Sequence, residues 1–163
     1  MNKFKLSIFI LLIFFVGCSN QNGQVSNGEF SIGNVSSSEL EQGKEYFIVM
    51  PFEWSGKQPV KIKSINIMEN DTPITSEAGI AYKFYVGDQS KKTGVYMRED
   101  IGEKEPIDGF KIKDSNTLIL ELSLSSVQSN PNRALSIKYI ENGEEKEQTL
   151  QSSLLSNLKA SEQ

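Results

Sequence analysis

The chain has 163 residues, 37% of them apolar and 23% charged, a balance that allows a single globular core. It has no histidine and one cysteine, which removes the commonest general base, the commonest transition-metal ligand and any internal disulfide. The formal charge of −4 argues against nucleic acid as a partner, because phosphates demand clustered Lys and Arg.

The first residues have the layout of an export signal. Lys3 and Lys5 supply a cationic start, residues 6–16 an apolar run broken only by Ser7, and Gly17 a small residue before a cut. The run falls short of the roughly 20 apolar residues that cross a bilayer, and Ser19-Asn20-Gln21-Asn22-Gly23 ends it sharply. An ordinary signal followed by a free cysteine, or an uncleaved N-terminal anchor, would also use these residues. A lone cysteine at this position in an oxidising compartment nevertheless calls for a reason.

Phe15-Val16-Gly17-Cys18 resembles the lipobox of bacterial lipoproteins, with Phe15 where that family usually carries Leu. The resemblance implies a diacylglyceryl group on the sulfur of Cys18 and removal of residues 1–17. It also implies a protein anchored in the cell membrane and exposed on its extracytoplasmic side. Two acyl chains give stable anchoring where one gives only marginal binding. Losing Lys3 and Lys5 leaves 15 basic against 21 acidic residues, a charge of about −6. Such a domain is mildly repelled by anionic lipid, so Cys18 has to do the holding.

Residues 18–28 are rich in Ser, Asn, Gln and Gly and read as a flexible tether. Residues 29–150 are expected to form one β-domain. Phe30, Ile32 and Val35 suggest a short first strand, and residues 46–54 a longer one interrupted by Pro51. A proline cannot donate to a ladder, so Pro51 marks an edge, a bulge or a strand changing sheets. Val60 and Ile62, then Ile65 and Ile67, alternate in registers offset by one, which predicts a bulge near Lys63. Residues 69–73 read as a loop, 80–86 as a strand, 95–97 as a short strand and 98–109 as a charged loop.

Leu118, Leu120, Leu122 and Leu124 give the cleanest period-two stretch of the chain. Leu135, Ile137 and Tyr139, the turn pair Asn142-Gly143 and residues 145–150 form the strongest hairpin signal. Residues 151–163 read as a short helical or disordered tail. Seven or eight strands with no long helical segment favour an all-β, antiparallel, immunoglobulin-like β-sandwich. Residues 46–54, 59–68, 109–124 and 135–150 resemble, in pattern, the immunoglobulin-like domains of Gram-positive surface lipoproteins. The cysteine pair of that fold is missing, and Tyr139 sits too late in its strand for a tyrosine corner.

Asp100, Glu103, Glu105 and Asp108 crowd a loop bent by Gly102 and Gly109, which makes them weak calcium candidates beside the alternative of a solvated acidic loop. Met50, Met68 and Met97 are too scattered for a copper(I) site and read as core filling. Tyr82 and Phe84 share one strand face while Tyr85 takes the other. Tyr85, and Trp54 near a turn, are candidates to point outward and with Tyr96 are the candidate partner contacts, the alternative being that all of these aromatics pack in the core or at its rim. Serines and lysines occur without a nucleophile motif. The expectation is a non-enzymatic, lipid-anchored binding protein with no cofactor, a surface or envelope protein as partner, and no nucleic-acid role. A small-molecule or metal-ion binding lipoprotein is the first alternative and a cell-wall hydrolase the second.

Overall fold

The computed structural model describes residues 28–36 and 40–161, so Cys18, its signal and most of the tether lie outside the described residues. The strands in chain order are β1 (Phe30–Ile32), β2 (Leu40–Glu41), β3 (Glu45–Trp54), β4 (Val60–Glu69), β5 (Thr72–Pro73), β6 (Ile80–Gly87) and β7 (Gly94–Tyr96). They continue with β8 (Lys104–Pro106), β9 (Lys111–Ile112), β10 (Ser115–Leu124), β11 (Arg133–Glu141) and β12 (Glu144–Gln151), then helix α1 (Ser153–Asn157) and β13 (Ala160–Ser161).

One sheet runs β1-β3-β10-β6-β8, with β7 also on β3, and the other runs β12-β11-β4-β5, with β9 also on β4. Stripped of the shortest strands, the order is four (β1-β3-β10-β6) facing three (β12-β11-β4). That is the strand arrangement of a constant-type immunoglobulin sandwich. Thirteen strands are present among the described residues in place of the expected seven or eight, because β2, β5, β7, β8, β9 and β13 are two- or three-residue additions.

The core follows from side-chain parity. Leu118, Leu120, Leu122 and Leu124 of β10 point into the sandwich, opposite Met50 and Ile48 of β3 on one side and Val86, Phe84, Tyr82 and Ile80 of β6 on the other. Pro51 sits where the flank of β3 changes partner from β1 to β7. Gly33 N–H donates to Pro51 O at 2.9 Å, and the return bond is the one proline cannot make. The bulge predicted near Lys63 is present: Lys138 pairs with Ser64 and Tyr139 with Ile62, leaving Lys63 unmatched. Asn142 and Gly143 both take positive φ, as a two-residue type I′ hairpin requires.

Three segments differ from the sequence reading. Residues 69–73 are a tight hairpin, not an open loop, since Asn70 and Asp71 both adopt positive φ and turn β4 into β5. The charged loop of residues 98–109 contains β8, paired to the edge of β6. The tail is integral to the fold: Leu154, Leu155 and Leu158 are buried, and β13 pairs in parallel with β2. Arg133, 5% exposed, donates to Leu158 O at 3.0 Å and Gln128 O at 2.8 Å and lies 3.6 Å from the Glu69 carboxylate.

The two lateral sides of the sandwich are finished differently. On the β1–β12 side, Phe30 N–H donates to Gln148 Oε1 at 2.7 Å, and Gln148 Nε2 donates to Phe30 O at 3.0 Å. One side-chain amide thus imitates a ladder step and closes that seam. The β4–β6 side is bridged differently, by the Tyr82 hydroxyl of β6, which accepts from Ile67 N–H of β4 at 3.1 Å.

Candidate binding site

The parity of β6 is set at its start. Ser125 N–H donates to Gly79 O at 2.8 Å, so residues 79, 81, 83, 85 and 87 turn their backbone groups toward β10. Ile80, Tyr82 and Phe84 turn theirs the other way. β8 covers that edge only alongside residues 85–87. Along residues 80–84 no backbone partner is found among the described residues.

The facing wall is β4. Ile62 N–H donates to Phe110 O and Ile62 O accepts from Gly109, while Ile67 N–H donates to Tyr82 Oη at 3.1 Å and Ile67 O accepts from Ile74. Alternation then leaves Ile65, between them, with its backbone groups aimed at the opening. The Tyr82 hydroxyl therefore acts as a crossbeam between the sheets. Its pKa is raised by burial, partly offset by the hydrogen bond from Ile67.

Between these walls lies an open cleft of about 900 Å³. Ile65, Ile74, Tyr82, Phe84, Ile107 and Leu122 form its apolar lining. Of the charges at its rim, Glu45 pairs with Arg98, Lys63 with Glu145 and Glu121 with Lys104. Lys83 and Asp108 form no salt bridge among the described residues and are both exposed. Apolar and fringed by a few charges, this concavity is where a ligand or partner would be sought.

Beside it, the outer face of the four-stranded sheet is covered. Phe47, Val49 and Ile119 point away from the main core and are buried with Ile101 beneath the segment 88–106, with Tyr85 and Tyr96 packed around them. Lys104 enters this layer. Its Nζ lies 3.4 Å from the Tyr85 ring centroid, 5.1 Å from that of Phe47 and 2.6 Å from Glu121 Oε2. Burial pushes the Lys104 pKa down, but the Glu121 carboxylate more than compensates and the net direction is up. Burial likewise raises Glu121, and the ammonium of Lys104 outweighs it and holds that carboxyl below its ordinary value.

The candidate residues are distributed unevenly over this geometry. Tyr85 does face away from the core and reaches the cleft rim, but its ring is half-buried under Lys104. Tyr96 is engaged within the covering segment: its hydroxyl donates to Lys92 O at 2.8 Å, and Lys91 Nζ sits 4.6 Å from its ring centroid.

Trp54 is not outward. It is 4% exposed, packs tilted against Phe30 and edge-on against Tyr139, and donates from Nε1 to Gln58 O at 2.8 Å. Gly28 and Gly56 pack against its indole so closely that a Cβ at either would lie about 2.5 Å or less from the ring.

Asp100, Glu103, Glu105 and Asp108 are exposed and spread over the 3₁₀ turn Arg98–Asp100, the segment before β8, β8 itself and the cleft end. Among the described residues no three His, Cys, Asp or Glu side chains gather as a metal site. Met50 is buried in the core while Met97 is exposed, so these two do not converge. No helix among the described residues is long and apolar enough to cross a membrane.

The cleft itself was missed from sequence because nothing local marks an unpaired edge. Its one trace is Lys83, a lone charge in an otherwise apolar strand, of the kind that edge strands carry. No protein-family model matches the chain, and no curated protein matches it.

Proposed function

We propose that this is an exported protein, anchored to the cell membrane by lipid on Cys18, whose immunoglobulin-like domain binds another protein at the surface without catalysing a reaction. The lipobox-like residues Phe15-Val16-Gly17-Cys18 support the anchor. The observation that most supports binding is the cleft between β4 and β6, with its apolar lining and unpaired backbone edge on a rigid sandwich.

Against wall hydrolysis, Glu121 at the cleft rim is bonded to Lys104, which outweighs burial and holds its pKa below the ordinary value, whereas a glycosidase acid needs a raised one. Against a calcium role for the acidic segment, its carboxylates face solvent separately. Photo-crosslinking from residues 63, 83 and 108, at the cleft rim, of the intact protein in cell membranes tests the reading. A single protein adduct of defined mass is expected from at least one position. No adduct from any of the three refutes protein binding.

A further inference from the structure

We infer that the cleft receives an extended peptide segment of the partner, which adds as a strand to the free edge of β6, in line with β8 and filling residues 81–84. This deepens the proposed binding role and rests on it. Strand addition needs a row of unused backbone donors and acceptors at strand spacing. Tyr82 and Phe84 supply it between the 3₁₀ turn Ser76–Ala78 and β8, while Ile80, 1% exposed, is closed off. The gap admits about four residues, roughly 13 Å of extended chain.

Alternation then fixes the chemistry of the occupant. Side chains of the added strand that lie level with Tyr82 and Phe84 enter the apolar cleft against Ile65 and Ile107, so they must be apolar. The residue between them lies on the outer face beside Lys83, an exposed lysine that forms no salt bridge among the described residues and whose cross-strand neighbour Glu121 is bonded to Lys104, so an acidic side chain is favoured there. The segment is therefore apolar–acidic–apolar.

A second copy of the chain does not fit this edge. Pairing two β6 strands about Tyr82 would drive Gly79 of the second copy into Pro106, which already stands opposite Tyr85. Pairing about Lys83 would set two lysines face to face.

The test uses the full chain in lipid nanodiscs and a blocked four-residue peptide, Val-Glu-Val-Thr, short enough to stop before Pro106, with residue-resolved hydrogen exchange. The peptide is expected to slow exchange at Tyr82 and Phe84, and the same peptide N-methylated at alternate residues is expected not to. Lys83→Glu, at an exposed position opposite Glu121 and checked for an intact fold by its melting temperature, weakens binding by about fivefold, and replacing the peptide glutamate with lysine restores it.

The inference fails if the peptide does not bind at millimolar concentration. It fails equally if protection falls on the outer face of β11 and β12, or if the chain dimerises through these same amides. Recovery of a crosslinked protein while Tyr82 and Phe84 stay unprotected would overturn strand addition and leave the binding role standing.

Discussion

Replacing Lys104 with Met should destabilise the domain far more than an ordinary surface charge deletion. Lys104 and Glu121 approach to 2.6 Å with side chains 19% and 15% exposed, whereas Lys63 and Glu145 approach to 2.9 Å at 48% and 54%. Removing one member of a fully buried pair costs about 3–5 kcal/mol, because the other is left charged and desolvated. The residual exposure of Glu121 reduces that to roughly 2–3 kcal/mol, and losing the cation over Tyr85 adds about 0.5–1 kcal/mol. The sum is near 3 kcal/mol, or a fall of roughly 10 °C in melting temperature. Lys63→Met should cost at most about 0.5 kcal/mol. The double variant Lys104→Met/Glu121→Leu should return to within about 1 kcal/mol of the parent, since neither charge is then stranded. Urea unfolding followed by the fluorescence of Trp54, the single tryptophan, measures all four proteins. Equal small losses for Lys104→Met and Lys63→Met would refute the view that this pair seats the covering segment.

The same pair sets a pH dependence. The Glu121 pKa is lowered on folding, so its contribution is complete above the unfolded value of about 4.3 and is lost as pH falls through the folded value. The Lys104 pKa is raised, so its contribution is complete below about 10.4 and is lost as pH rises past the folded value. The stability gap between the parent and the double variant should therefore stay constant from about pH 5 to 9 and change below about pH 4. Arg133→Met should cost about 2–4 kcal/mol by stranding the carbonyls of Leu158 and Gln128, and tryptic cleavage after Lys159 should accelerate as the tail loosens. Tyr82→Phe should cost about 1–2 kcal/mol and speed amide exchange at Ile67, whose N–H loses its acceptor.

Much of the sandwich could be read because its signals are local. The leucines of β10, the Asn142-Gly143 turn and the offset isoleucines around Lys63 each specify their geometry within a few residues. Trp54 was misplaced by its nearness to a turn, although parity from Ile48 through Met50 and Phe52 already put it on the core face. The unbroken run Phe47-Ile48-Val49-Met50 was the trace of a strand covered on both faces, and hence of a segment lying over the outer sheet. The turn at Asn70-Asp71 lacked the glycine that usually advertises a type I′ hairpin. β8 was hidden because Lys104-Glu105-Pro106 has no periodicity and is a strand only by pairing with β6. The cleft is harder still, being defined by which backbone groups remain unpaired after every strand has found its place.

The most direct test of the account is the mass and location of the protein recovered from cells. The mature chain should begin at Cys18, carry the mass of a diacylglyceryl group and sediment with membranes. Globomycin should leave the signal attached, and Cys18→Ser should abolish the lipid mass and release the protein from the membrane fraction. A free thiol at Cys18, with fractionation unchanged in Cys18→Ser, would contradict it.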